Sequence, residues 1–76
     1  MITVKLFGLL RLESGIREKQ LEAGSVKDVF QQLARAGISP KALSGCVIFV
    51  NGKPASKRTK LADGDLVMLM PPVAGG

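Results

Sequence analysis

The sequence of 76 residues predicts one α+β domain, in which a mixed β-sheet of about five strands carries one main helix on one face. Three observations lead to this prediction. The side chains of residues 2–7 alternate between two faces with a period of two, which is typical of a strand that is covered on one side. Residues 26–36 place apolar side chains at helical spacing, and residues 66–70 form an unbroken apolar run that is typical of a central strand.

The first strand is predicted to bury one face and to expose the other. Ile2, Val4 and Leu6 share the face that we assign to the core, and Phe7 falls on the opposite face. A Ser-Gly turn signal separates this strand from residues 16–21, which mix apolar and charged side chains. We expect residues 16–21 to form an edge strand that pairs with the first strand as a hairpin.

The helix begins after a capping signal. Ser25 is followed three residues later by Asp28, which resembles a capping box with Asp in place of the usual Glu or Gln. The helix is predicted over residues 26–36 and ends before a glycine. Phe30 and Leu33 lie on its apolar stripe, so both are expected in the core.

The second half of the chain is predicted as a loop, two strands, a second loop and the last strand. Pro40 opens the first loop, and Asn51-Gly52 is a strong two-residue hairpin signal between residues 47–50 and 53–55. An Asp-Gly-Asp turn at residues 63–65 precedes the last strand. This element order, with one helix on one face of the sheet, is that of a single β-grasp domain.

The last strand is apolar on both faces, so one face must look outward. If that face carries Leu66, Met68 and Met70, these residues lie on the same side as Phe7 wherever the first and last strands are neighbours. They would then form an exposed apolar patch of the kind that marks a protein partner. The alternative is that a loop covers this face.

The composition excludes several kinds of catalysis. The chain contains no His, Trp or Tyr, which rules out catalytic triads and imidazole metal sites. Asp63 and Asp65 suit turn chemistry better than a metal pair. Cys46, the only cysteine, is expected to be a small buried hydrophobe rather than a reactive thiol. We therefore expect a domain that binds no metal or cofactor and catalyses nothing alone.

The net charge of +5 raises the question of nucleic-acid binding, because four basic residues cluster between Asn51 and Leu61: Lys53, Lys57, Arg58 and Lys60. No Tyr or Trp is available for base stacking, and no recognition motif accompanies the charge. A solvated loop or a surface that docks an acidic partner is the favoured interpretation. No apolar stretch reaches the length of a membrane span and no signal-type segment opens the chain, so a cytoplasmic protein without membrane association is expected.

The end of the chain is the most informative stretch for function, and we predict a domain over residues 1–70 with a flexible tail over residues 71–76. The tail consists of Pro71, Pro72, Val73, Ala74, Gly75 and Gly76. Two prolines stiffen its start, and two glycines leave the terminal carboxylate on a thread narrow enough to enter a buried active site. The carboxylate is then the reactive group, once a partner has activated it. The alternative is an ordinary frayed terminus.

Three segments together resemble a known family: residues 4–7 (Val-Lys-Leu-Phe), residues 61–65 (Leu-Ala-Asp-Gly-Asp) and the Pro-Pro-Val-Ala-Gly-Gly tail. They are similar to the MoaD/ThiS-like, ubiquitin-like sulfur carriers, and within them to the small subunit of molybdopterin synthase. The resemblance covers essentially the whole chain, and the paired prolines before a terminal Gly-Gly are its most specific part.

The resemblance implies a defined chemistry at the C-terminus. An E1-like adenylating enzyme, using ATP and Mg²⁺, would convert the Gly76 carboxylate to an acyl-adenylate. A cysteine desulfurase or rhodanese would supply sulfur for a thiocarboxylate. The tail would then enter the large subunit of molybdopterin synthase, in a heterotetramer, and donate sulfur for the dithiolene of molybdopterin.

The family places Phe7, Leu61 and Met70 toward its partners, and the strand alternation adds Met68. The chain departs from the family in its basic charge and in Met at a position where aromatic residues are frequent.

Other functions stay open from the sequence. The same tail chemistry serves sulfur carriers for thiamine, amino-acid or tRNA thiolation. A ubiquitin-like modifier would use the same adenylate to form isopeptide bonds with lysines. A basic interaction domain would not need its tail at all.

Overall fold

The computed structural model describes residues 1–71, and this part of the chain forms five strands and three helices. In chain order they are β1 (Ile2–Leu6), α1 (Gly8–Ser14), β2 (Glu18–Leu21), α2 (Val26–Arg35), α3 (Pro40–Ser44), β3 (Val47–Val50), β4 (Lys53–Pro54) and β5 (Leu66–Met70).

The strands form one mixed sheet with the order β2-β1-β5-β3-β4. β1 and β5 run parallel, whereas β1–β2, β3–β5 and β3–β4 are antiparallel. The last strand is therefore the central one, as its unbroken apolar sequence predicted. With α2 as the main helix on one face, the predicted β-grasp architecture is confirmed.

The core lies between the sheet and the helices. Val4, Val67 and Leu69 are completely buried on the sheet side, and α2 contributes Phe30 and Leu33, as its spacing predicted. The remaining buried apolar residues are Ile2, Leu6, Leu10, Leu21, Val26, Val29, Ile38, Leu43 and Ile48. β1 and β5 thus bury alternate side chains, and the intervening side chains lie on the opposite face of the sheet.

The capping signal before α2 is confirmed with one variation. The Asp28 backbone N–H donates to Ser25 Oγ at 3.3 Å, as in a capping box. The Asp28 carboxylate accepts from the Gly24 N–H at 3.1 Å rather than from the cap residue itself. Asp28 also places negative charge in the first turn, which the helix dipole favours.

The predicted hairpin between the first two strands needs a correction. β1 and β2 do pair antiparallel, but β2 begins at Glu18 and the connection contains the helix α1. α1 forms because Leu10 is buried in the core, and it ends where the Gly15 N–H donates to the Arg11 carbonyl at 2.9 Å. Gly15 has a φ of 73°, the left-handed conformation that glycine permits.

The loop predicted to open at Pro40 is also corrected, because residues 40–44 form the short helix α3. Pro40 stands at the start of the helix, where its fixed φ suits the first turn and its missing N–H costs nothing. Leu43 is buried and anchors this single turn to the core.

The two predicted tight turns are present. Asn51 and Gly52 have φ values of 51° and 81°, as a type I′ hairpin turn requires. The strand after it is shorter than predicted, although the Ala55 N–H still donates to the Ile48 carbonyl at 2.9 Å. Before β5, Gly64 has a φ of 88°.

Asp65 holds the second turn together. Its carboxylate accepts from the Ala62 N–H at 2.8 Å and from the Asn51 side-chain amide at 2.9 Å. The Asn51 amide oxygen in turn accepts from the Leu66 N–H at 2.9 Å. Asp63, on the other side of Gly64, forms an ion pair with the N-terminal ammonium of Met1. Asp65 therefore closes the turn itself, whereas Asp63 links the turn to the residue that precedes β1.

The two faces of β5 are expected to respond differently to truncation. Leu69→Ala removes a completely buried side chain and should lower the free energy of unfolding by about 2 to 5 kcal/mol. Met68→Ala, the neighbouring position on the other face, should cost about 1 kcal/mol or less. Urea unfolding measures both values. A loss at Met68 as large as that at Leu69 would contradict the assignment of the faces.

The hydrogen bonds from Ala62 and Asn51 lower the pKa of the Asp65 carboxyl in the folded state. Its stabilising effect is therefore complete above the unfolded pKa of about 3.9 and is lost as the pH falls through the folded pKa. Asp65→Asn should be less stable than the natural chain at pH 7, with a difference that shrinks at acid pH. Urea midpoints between pH 7 and pH 2 measure this, and a difference that did not change with pH would contradict it.

Candidate functional site

The candidate site lies at the edge of the sheet where β1 and β5 both end. Because these strands are parallel, with Leu6 opposite Leu69, their carboxyl ends meet at the same edge. The Phe7 N–H donates to the Leu69 carbonyl at 3.1 Å, which extends the pairing by one residue beyond β1. The chain therefore leaves the sheet at Pro71 directly beside Phe7 and Gly8.

Gly8 and Pro71 are in close contact at this exit. Gly8 has a φ of 59°, and a β-carbon at this position would lie 2.6 Å from Pro71 Cγ. The absence of a side chain thus lets the proline ring pack against the turn that leads into α1. This contact fixes the point from which the tail starts.

An apolar patch covers the outer face of the sheet, the face opposite α2. Met68 of β5 pairs with Phe49 of β3, and Met70 pairs with Val47. Phe7 follows β1 in an extended conformation and lies beside Met70 in the parallel register. We call these five residues the outer-face patch.

The outer-face patch is open to solvent. Phe7 and Val47 are 36% and 41% exposed, and Phe49, Met68 and Met70 are partly exposed. The prediction that Leu66, Met68 and Met70 alternate away from the core is confirmed by the burial of β5. A contiguous exposed apolar surface on a small domain is typical of a protein-binding site.

Val47 and Phe49 were missed as members of the patch. Their strand was predicted, but its pairing partner was not. Antiparallel pairing with β5 places Ile48 against the core and both neighbours on the outer face. The alternation of residues 47–50 would have indicated them once that pairing was known.

Basic residues surround Phe7. A surface cleft of about 360 Å³ beside it is lined by Lys5, Leu6, Arg11, Arg17 and Glu18. Lys5 forms an exposed ion pair with Glu18 at 3.8 Å, so Arg11 and Arg17 add most of the net positive charge there. Neither arginine was predicted as a site residue, because Arg11 lies on α1, which was not predicted, and Arg17 lies in the segment assigned to an edge strand.

A second cleft, of about 230 Å³, adjoins Pro71 on the α1 side, where Leu9 and Leu10 line it. Leu9 is 63% exposed, and Leu12, on the same short helix, is 76% exposed. The tail therefore starts between two apolar surfaces, the outer-face patch on the sheet and the exposed side of α1.

Leu61 occupies a different position from the other predicted partner contacts. It is partly buried against the core, and its N–H donates to the Gly24 carbonyl at 2.9 Å. The described contacts do not bring it to the outer-face patch, and its role as a partner contact stays a prediction. Of the predicted tail, Pro71 is described, and Pro72, Val73, Ala74, Gly75 and Gly76 lie outside the described residues.

Cys46 is half-buried and packs against the core. Its thiol donates to the Leu43 carbonyl, with a sulfur–oxygen distance of 2.9 Å. Burial raises the pKa of the Cys46 thiol above its ordinary value, whereas the residue's own backbone N–H and the charge of Lys57 act in the opposite direction. The thiol is therefore protonated at neutral pH, which agrees with a packing role.

Two further observations concern residues 1–71 only. In this part of the chain no three Cys, Asp or Glu residues come together as a metal site would require. No helix within it has the length and apolarity needed to cross a membrane.

The domain, with its exposed outer-face patch, has the β-grasp fold that sulfur carriers and ubiquitin-like modifiers share. The sequence matches the ThiS family over residues 4–76, and the chain belongs to that family. A comparison with curated protein sequences finds no significant match.

Solved structures agree with this assignment. Small archaeal modifier protein 1 (SAMP1) from Methanosarcina acetivorans is 28% identical, with a TM-score of 0.85 over 99% of this chain and 95% of that one. SAMP1 from Haloferax volcanii is 25% identical, with a TM-score of 0.84 over 99% and 98%. The complex of subunits 1 and 2 of the molybdopterin-converting factor from Helicobacter pylori contains a chain that is 28% identical, with a TM-score of 0.75 over 99% and 97%.

Proposed function

We propose that this protein is a sulfur carrier, the small subunit of molybdopterin synthase, and that Gly76 carries the sulfur as a thiocarboxylate. The observation that supports this most directly is the parallel pairing of β1 with β5. This pairing places Pro71, the first residue of the tail, beside the outer-face patch. A partner that binds the outer-face patch can therefore receive the tail, with its terminal Gly-Gly, in its own active site.

The proposed chemistry takes place on the partners. An E1-like enzyme with ATP and Mg²⁺ lets a Gly76 carboxylate oxygen attack the α-phosphorus of ATP, which releases pyrophosphate and forms the acyl-adenylate. A persulfide of a cysteine desulfurase or rhodanese then attacks the acyl carbon and displaces AMP. A thiol reduces the resulting S–S bond, which leaves the thiocarboxylate on Gly76.

The acceptor step completes the cycle. The thiocarboxylate sulfur attacks a carbon of the cyclic pterin precursor in the large subunit and displaces an oxygen substituent from that carbon. Water then hydrolyses the acyl–sulfur bond, which leaves the sulfur on the precursor and releases the tail as a carboxylate. The dithiolene needs two sulfur atoms, so two such transfers are required. Because the activation consumes ATP, we propose that the protein works in the cytoplasm.

The names of similar structures favour proposing a second function. The SAMP1 chains with high structural similarity are named modifier proteins. A modifier would form the same acyl-adenylate, which the ε-amine of a target lysine would attack with loss of AMP.

Carriers for thiamine, amino-acid or tRNA thiolation differ only in the final acceptor. The state of the terminus and the mass of any adduct distinguish these possibilities.

Removal of Gly76 is expected to abolish function while barely altering stability, because a terminal glycine has no side chain to bury. The chain should be coexpressed with the activating enzyme and sulfur donor of its host, and its intact mass measured. The full chain should gain the mass of one sulfur-for-oxygen replacement, localised to Gly76, and the chain that lacks Gly76 should gain none.

The outcomes of this experiment separate the candidates. An unmodified terminus, with the activating enzyme and the donor both present, would contradict the carrier function. Adducts with other proteins through Gly76 would favour the modifier. A chain that lacks Gly76 and still supports molybdopterin formation would overturn both.

Phe7→Ala is expected to weaken binding to the activating enzyme and the large subunit by about 1 to 3 kcal/mol, as for a typical interface anchor. Phe7 lies outside the core, so the free energy of unfolding should change by about 1 kcal/mol or less. Lys19→Ala, an exposed β2 residue opposite the core-facing Val4, is the matched control and should bind normally. Calorimetric titration measures the affinities, and unfolding of Phe7→Ala would show that the face is wrongly assigned.

A further inference from the structure

A second groove lies on the face of the domain opposite the outer-face patch, between α2, α3 and the loop that follows β4. It has a volume of about 270 Å³. Its apolar floor is formed by Phe30 and Ala34 of α2 and by Pro40 and Leu43 of α3. Lys27 and Lys57 stand at its rim, and Lys57 Nζ lies 5.4 Å from the centre of the Phe30 ring, within range of a cation–π attraction. We call this surface the helix-face groove.

Positive charge extends from the rim of the helix-face groove. Lys27 and Lys57 also line a neighbouring cleft of about 730 Å³, together with Arg58 and Lys60. Asp28 supplies the carboxylate of that cleft, and it already accepts a backbone hydrogen bond at 3.1 Å. Within residues 1–71 none of these four cations is part of an ion pair. The surface therefore presents a strong local positive potential.

The backbone that carries these charges is fixed to α2. The Val26 N–H donates to the Thr59 carbonyl at 3.0 Å, and the Lys27 N–H donates to the Lys57 carbonyl at 3.1 Å. These bonds occupy the first free N–H groups of the helix, so its N-terminus is not open to a small anion. Recognition must come from the lysine and arginine side chains and from the apolar floor between them.

We infer that the helix-face groove binds an acidic segment of another protein. In this arrangement a large apolar side chain of the segment rests on Ala34 and Pro40, the more exposed part of the floor, and its carboxylates lie against Lys27 and Lys57. An apolar floor with a cationic rim is complementary to an acidic segment that contains an apolar anchor. The inference goes beyond the proposed function and does not depend on the chemistry of the tail.

A protein segment fits these features better than a nucleic acid does. Phe30 is 8% exposed and Lys57 lies over its ring, so this aromatic ring is not an open stacking platform. Phe7 and Phe49 belong to the outer-face patch on the other side of the sheet. A nucleic acid would therefore contact the cations through its phosphates alone and leave the apolar floor unused.

The position of the groove has a functional consequence. The core separates the helix-face groove from the outer-face patch, so a partner on one face leaves the other accessible. The domain can then be held by one protein through α2 and α3 while a second protein takes the outer face and the tail.

The test is an NMR titration of the full ¹⁵N-labelled chain at low ionic strength with the peptide acetyl-Glu-Asp-Glu-Leu-Phe-Glu-Asp-Glu-amide. Saturable amide shifts should concentrate at Lys27, Gln31, Ala34 and Lys57. A peptide with Ser-Ser in place of Leu-Phe should bind about tenfold more weakly to the same chain, because it cannot use the apolar floor. This comparison needs no variant of the protein.

Charge reversal provides the second arm of the test. The double variant K27E and K57E should weaken binding of the first peptide by about tenfold. The matched control, R17E with K19E, changes the net charge equally outside the groove and should weaken binding by less than about twofold. Equal losses in both variants, or equal affinity for the two peptides, would overturn the inference. So would a twelve-nucleotide oligouridylate that shifted the same amides and bound more tightly than the peptide.

Discussion

The parallel pairing of β1 with β5 is the interaction on which the fold and the candidate site both depend. It inserts the last strand into the centre of the sheet, where Val67 and Leu69 complete the core next to β1. It also directs both strands to the same edge, so the chain leaves the sheet at Pro71 next to Phe7 and Gly8. An antiparallel last strand would bury the same residues but would release the tail at the opposite edge, far from Phe7.

The small size of the domain explains how its surfaces are used. A chain of this length cannot enclose a deep catalytic cavity, and the chain contains no histidine. Residues 1–71 form an apolar core, the exposed outer-face patch and a basic surface beside α2. In the function we propose, the domain is recognised by its partners and delivers its terminus to them, which lowers the entropic cost of bringing the reacting group to its partner.

Much of this could be predicted from the sequence because the long elements carry strong periodic signals. The alternation in β1, the capped helix α2 and the Asn51-Gly52 turn were all correctly predicted. α1 and α3 were not, because each is a short helix that depends on the burial of one leucine, Leu10 or Leu43. The part played by Val47 and Phe49 could not be predicted either, since it follows from the pairing of β3 with β5, which no local pattern encodes.

The central claim is that the outer-face patch receives the activating enzyme beside the start of the tail. The most direct test labels the methionine methyl groups with ¹³C and records their signals during a titration with the activating enzyme and ATP. Met68 and Met70 lie in the patch, and Met1, at the opposite end of β1 from the tail, is an internal control. The account predicts that the signals of Met68 and Met70 shift while that of Met1 does not. Formation of the adenylate with no change at Met68 or Met70 would contradict it.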